Sequence, residues 1–255
     1  MQHEDRGRAE SFGSEAERYD RTRPTYPTAL IDDLMAADPE AALDVGCGTG
    51  KAGRLLVERG CRVLGVEPDP RMADVARRHG IDVDVAPFET WEPAGRRFDL
   101  VISAQAWHWV DPAKGPAKAH EALQRSGRLA VFANLYTHEA AMTAAFDEIY
   151  PRLAPELTGV DSLALGRTSD ATRRMFLETI AATGLFDAPR DRTYEWDQRY
   201  TTEEWLDGLP TYSDHAVLPR ERLARLLDAV GEAIDERGGV VNLHYTAHLI
   251  TTRAR

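Results

Sequence analysis

The apolar positions of this chain follow two periods in turn. Runs that are apolar throughout, or at alternate positions, occupy residues 41–45, 62–66, 81–86, 98–104 and 128–133 and read as short strands. Between them apolar residues return every three or four positions. Leu30, Ile31, Leu34 and Met35 mark a helix over 28–37, and Met72, Val75 and Ala76 mark another, opened by Asp69-Pro70 and closed at Gly80. A helix from about Lys51 ends at Gly60, and one capped by Asp111-Pro112 runs on to Gly127. Strand and helix in alternation predict a parallel sheet with right-handed crossovers, a doubly wound α/β fold.

The pattern changes at Leu135. Residues 140–153 and 171–183 have helical spacing and are separated by the turn-rich stretch PELTGVDSLALGRTSD. Residues 192–198 read as a sixth strand, 203–207 and 220–236 as helices, and 240–252 as a final strand or pair. This order predicts one domain over 1–255. It divides into a lid and helix (1–37), a core (38–134), helical cap segments (135–190 and 201–237) and final sheet strands (191–200 and 238–255). At the front, Ser14-Glu15-Ala16-Glu17 has the capping-box form with Phe12 before it, so a short helix is expected to about Asp20. Arg23-Pro24 and Tyr26-Pro27 then impose extended backbone.

Composition narrows the classes. The 255 residues are 43% hydrophobic, enough for a large core, and the formal net charge of -11 provides no overall positive field for phosphate backbones. No apolar run approaches the roughly 20 residues of a membrane span, and MQHEDRGRAE is too charged for a signal peptide. The expectation is a cytoplasmic, reduced protein, monomer or homodimer, without nucleic-acid, membrane or metal partners. Cys47 and Cys61 read as structural, Cys47 as a small residue inside a turn.

The candidate chemistry gathers where predicted strands end. LDVGCGTG, residues 43–50, joins the first strand to a helix. Gly46, Gly48 and Gly50 permit positive φ and bare backbone against a nucleotide-like ligand. Glu67, 17 positions after Gly50 and followed by Pro68, closes the second strand, where a carboxylate can accept both ribose hydroxyls of an adenosine-containing ligand. A dinucleotide fingerprint wants glycine where Lys51 stands, and a phosphate loop wants a hydroxyl where Ala52 stands. Past the third strand, Phe88 is placed to border an adenine. Past the fourth come Ala104, Gln105 and the cluster Trp107-His108-Trp109. Tyr19 and Arg23 are read as lid residues, the first stacking and the second meeting a carboxylate, with surface packing as the alternative. His79 reads as a packing residue, while His215, Arg167, Arg173 and Arg174 are candidates within the cap.

Asp44 ahead of G-x-G-x-G, with Glu67 at the next strand tip, resembles the class I S-adenosylmethionine-dependent methyltransferases. Y-D-x-x-R-P-x-Y-P (residues 19–27), LDVGCGTG, GVEPDPRMADVAR and FDLVISAQAWHWVD are similar to that family's small-molecule, type 11 branch, which includes trans-aconitate methyltransferase-like enzymes. The resemblance implies a Rossmann-like, mostly parallel seven-stranded sheet, its last strand antiparallel, with helical cap insertions. It also implies S-adenosylmethionine as cofactor and methyl transfer to a small-molecule acceptor by in-line displacement. Gly46, Cys47, Gly48 and Gly50 would then line the methionine part, with Asp44 steadying the turn and Glu67 and Pro68 at the ribose. Phe88 would meet the adenine, Ala104 and Gln105 the methionine portion. His108 is the candidate base, and Trp107 and Trp109 the candidate acceptor contacts. Two alternatives stay open: a non-catalytic S-adenosylmethionine-binding protein and a nicotinamide-dependent oxidoreductase.

Overall fold

The continuous apolar runs are explained by burial on both faces of a sheet. In the computed structural model, which describes residues 15–158 and 170–255, seven strands pair in the order β3-β2-β1-β4-β5-β7-β6. The parallel strands β1 (Ala41–Val45), β2 (Arg62–Glu67), β3 (Asp82–Val85), β4 (Phe98–Ala104) and β5 (Leu123–His138) make up one side. On the other, β7 (Val240–Arg253) runs antiparallel between β5 and the edge strand β6 (Arg190–Thr201). Alternate side chains go to opposite faces. Leu43, Val45, Val101, Leu129 and Val131 pack on one face with Ala119, Ala122, Phe176 and Ile180 of helices α5 (Gly115–Ala122) and α7 (Asp170–Ala182). Ala42, Leu100, Ile102, Ala130 and Phe132 pack on the other with Leu30, Ile31 and Leu34 of α2 (Thr28–Met35) and Leu56 of α3 (Gly53–Val57). The expected α/β class and sheet composition are therefore those observed.

Two local expectations change, and one left open is decided. The helix opened near Asp111-Pro112 ends at Ala122, not Gly127, and β5 begins at once with Leu123. Gly127 is there for close approach, since a Cβ would lie 3.1 Å from the Phe98 carbonyl oxygen. β5 also continues past Leu135 to His138, because Asn134, Tyr136 and His138 keep the inward alternation. Residues 240–252 belong to one long strand, not a pair, paired with β5 from Arg128↔Arg253 to His138↔Leu243. Ser14, Phe12 and residues 159–169 lie outside the described residues; the first described helix, α1 (Ala16–Thr22), starts from Glu15 without a side-chain cap.

The length of β5 sets up the site. β4 pairs with it only as far as Ala104↔Phe132, so β5 and β7 project beyond the carboxyl edge of the neighbouring strands. Helices α6 (Ala140–Leu153), α8 (Thr202–Gly208) and α9 (Arg220–Asp235) form a separate apolar core on that projection, around Tyr136, Leu243 and Tyr245. No described helix is long and apolar enough to cross a membrane.

Candidate active site at the carboxyl edge

A cavity of about 220 Å³ lies in the step between the tips of β1, β2 and β4 and the projecting wall of β5 and β7. It takes in most of the residues singled out along the sequence: Tyr19, Arg23, Gly46, Cys47, Gly48, Glu67, Pro68, Phe88, Ala104, Gln105, His108 and Trp109. Asp44, Gly50 and Trp107 are not among its lining residues. Trp107 is buried in the core beside Phe88, with ring centroids 6.4 Å apart, and against Gly115, so of the two indoles Trp109 alone faces the cavity.

The three glycines separate by task. All have positive φ. A Cβ on Gly46 would stand 2.5 Å from the Ala106 Cβ, and one on Gly50 would stand 2.6 Å from Ile81 Cδ1 just ahead of β3, so both keep the turn closely packed, and Gly46 also lines the cavity. At Gly48 a Cβ would meet only the Met72 methyl at 3.4 Å. That open flank adjoins Glu67, whose Oε2 accepts the Gly48 amide at 2.9 Å and whose Oε1 accepts the Asp69 amide at 3.0 Å. Burial pushes the Glu67 carboxyl up to about 7 in spite of those bonds. Asp69 in turn caps α4 (Pro70–Arg78) by accepting the Arg71 amide at 2.9 Å. Asp44 sits behind the turn, fully buried, with both carboxylate oxygens lacking hydrogen-bond partners. Burial raises its pKa to about 7; the Gly53 amide opposes this without reaching an aligned hydrogen bond. Lys51 lines the cavity half-buried, and desolvation lowers it to about 8.

At the tip of β4, Gln105 takes a left-handed φ of 57° and is pinned by its own amide on the Phe132 carbonyl (2.9 Å) and its side-chain Nε2 on the Asn134 carbonyl (2.9 Å). The lid reaches the cavity from above. Asp20 of α1 holds His79 at 2.9 Å and Arg54 at 3.4 Å, so His79 is a half-exposed polar tether and not a packing residue.

Sequence reasoning missed the wall opposite the glycine turn: Tyr26, Asn134, Tyr136, Tyr212, Ser213 and Tyr245. Tyr136 and Tyr245 face each other in the β5–β7 register, and Tyr136 donates to the Tyr212 hydroxyl at 3.0 Å. Burial holds the Tyr136 and Tyr245 phenols protonated, well above their ordinary range. The cap candidates fall elsewhere. His215 is wholly buried between Asp214 (2.8 Å) and Tyr150 (3.0 Å), Arg173 pairs with Asp191, and Arg174 is exposed. Arg167 lies outside the described residues.

A mostly parallel sheet with one antiparallel strand next to its edge, a glycine turn after β1 and a carboxylate at the tip of β2 define a Rossmann-like α/β fold with a cavity at its carboxyl edge. Comparison with known proteins gives the family. Residues 43–131 match the family model described as "Methyltransferase domain". The chain is 31% identical over 235 residues to an uncharacterized methyltransferase of Mycobacterium bovis, covering 91% of this chain and 88% of that one. A trans-aconitate 2-methyltransferase of Mycolicibacterium gilvum is 34% identical over 92 residues, 35% of each chain. A solved structure from Anaeromyxobacter dehalogenans shares the fold, with a TM-score of 0.65 at 24% identity over 91% of this chain and 97% of that one. The chain belongs to the S-adenosylmethionine-dependent methyltransferases.

Proposed function

We propose that the cavity binds S-adenosylmethionine and that the chain transfers its methyl group to a small-molecule acceptor held beneath the cap. The observation that carries this reading is the open flank of Gly48 beside the buried Glu67 carboxylate, a fit for a ribose whose hydroxyls would donate to Glu67. Phe88 and Pro68 supply apolar surface for the adenine side, Gly46, Cys47, Ala104 and Gln105 line the methionyl side, and Arg23 and Tyr19 meet its carboxylate end. Asp44 and Gly50 act from behind by shaping the turn. Bound here, the cofactor supplies an electrophilic methyl on a sulfonium.

The protein's own share is orientation and exclusion of water. The acceptor lies against Trp109, Tyr136 and Tyr212, which hold its nucleophile in line with the S–CH3 bond, a gain in effective concentration that accounts for much of such an acceleration. These aromatic faces also tolerate a neighbouring cationic sulfur. His108 takes the proton from an acceptor that needs to lose one, and a carboxylate acceptor makes no such demand. The enclosure by lid and cap supports an acceptor of metabolite size.

Transfer of labelled methyl from S-adenosylmethionine to a panel of hydroxyl, amine, thiol and carboxylate metabolites tests the reading. Label in a small product, lost in His108→Asn for hydroxyl or amine acceptors, is the expected result. Tight cofactor binding with no product across the panel would instead favour a non-catalytic binding protein.

A further inference from the structure

We infer that Thr211 and Tyr212 of the cap are positioning residues for Arg23, so that gripping the donor's methionyl carboxylate also draws the cap onto the lid. The inference rests on the donor reading above and extends it to residues outside the glycine turn.

Arg23 leaves α1 between two hollows, lining both the central cavity and the outer groove bounded by α1, α8, α9 and β6. Its neighbours Arg18 and Arg21 share Asp207 of α8 at 3.1 and 2.7 Å. Arg23 has no carboxylate partner among the described residues. It is instead gripped by the cap on one edge and one face. Nε donates to Thr211 Oγ1 at 2.9 Å, Nη2 donates to the Thr211 carbonyl at 2.8 Å, and the guanidinium carbon lies 3.6 Å from the Tyr212 ring centroid. Thr211 spends its own proton on the Gly208 carbonyl at 2.6 Å, which leaves its oxygen as an acceptor for Arg23. Thr211 and Tyr212 are themselves buried, so the guanidinium cannot turn without moving the segment that follows α8.

A half-buried cation with its orientation fixed and no anion opposite it is costly unless a ligand completes it. Nη1 carries no hydrogen bond among the described residues, and a guanidinium offers a carboxylate paired, directional donors. The tyrosine at the base of this grip also accepts from Tyr136 in the acceptor wall. Donor carboxylate, lid arginine and cap tyrosine thus form one chain of contacts, which makes the acceptor side respond to whether the donor is in place.

Dissociation constants for S-adenosylhomocysteine and for methylthioadenosine, which shares the adenosine and sulfur but lacks the amino-acid portion, separate the possibilities. Thr211→Val and Tyr212→Leu should weaken S-adenosylhomocysteine about tenfold and leave methylthioadenosine unchanged, and Thr211→Ser should restore the wild-type ratio. Equal weakening of both ligands, or of neither, would overturn the inference, as would a wild-type protein that binds the two equally well. A wild-type protein that binds neither contradicts the donor reading itself.

Discussion

The Glu67 carboxylate accepts the Gly48 amide at 2.9 Å, so the tip of β2 and the glycine turn after β1 form one structural unit. Removing the carboxylate affects both ligand and loop. Glu67→Ala is expected to weaken S-adenosylhomocysteine by about 1 to 3 kcal/mol, the cost of losing charge-assisted bonds. Methylthioadenosine should weaken equally, because it keeps the ribose; calorimetry on the two ligands checks this, and a selective loss of one would refute the ribose assignment.

Asp44 gives a pH signature. In an unfolded chain its carboxyl ionises near the ordinary value of about 3.9, whereas in the fold it keeps its proton to about 7. Between those values the folded state binds more protons than the unfolded one, so this group's contribution to stability falls as pH rises and its full cost is present above 7. Asp44→Asn cannot ionise. Relative to wild type, the variant should match it near pH 4 and gain on the order of 2 to 4 kcal/mol by pH 8. Thermal melts of both proteins across that range should show the difference in Tm growing with pH; a flat or falling difference would contradict the assignment.

The two indoles of Trp107-His108-Trp109 should separate cleanly. Trp107 is 3% exposed and packed against Phe88 and Gly115, and Trp107→Ala is expected to cost about 3 to 5 kcal/mol of stability in denaturant titrations. Trp109 lines the cavity, and Trp109→Ala should leave the unfolding midpoint close to wild type while raising KM for the acceptor.

Gly50 and Gly48 offer a similar contrast within one turn. Gly50→Ala forces a Cβ into Ile81 Cδ1 at 2.6 Å, on top of a strained φ of 84°, and should lower Tm steeply. Gly48→Ala bears the φ penalty alone and should be the milder in stability, of about 1 kcal/mol, while doing more harm to cofactor affinity. A reversed ranking would move the open flank elsewhere.

How much of this was legible depended on whether the signal was local. β1, β2 and β4 announce themselves because both faces are covered and their runs are mostly apolar, Asp44 of β1 being the buried exception. The strand tips follow from them, and with the tips come Gly48, Glu67 and Gln105. The sequence pattern makes β5 look short at both ends, because Gly127 resembles a helix stop and because Asn134 and His138 are polar residues on an inward face. The phenol wall has no local signature at all. Tyr136 and Tyr245 meet only through antiparallel register, and Tyr212 joins them from the cap across a hydroxyl pair. Tyr26 stood in the sequence within a recognised motif, yet its place against Phe132, ring centroids 4.9 Å apart, comes from tertiary packing.

The central claim is that the cavity between the glycine turn and Glu67 is a site for the methyl donor. Titration calorimetry of the protein with S-adenosylhomocysteine tests it most directly. One saturable site per chain, weakened in Glu67→Ala, is the result expected. No binding of S-adenosylhomocysteine, or binding that a nicotinamide dinucleotide displaces with concomitant hydride transfer, would contradict it.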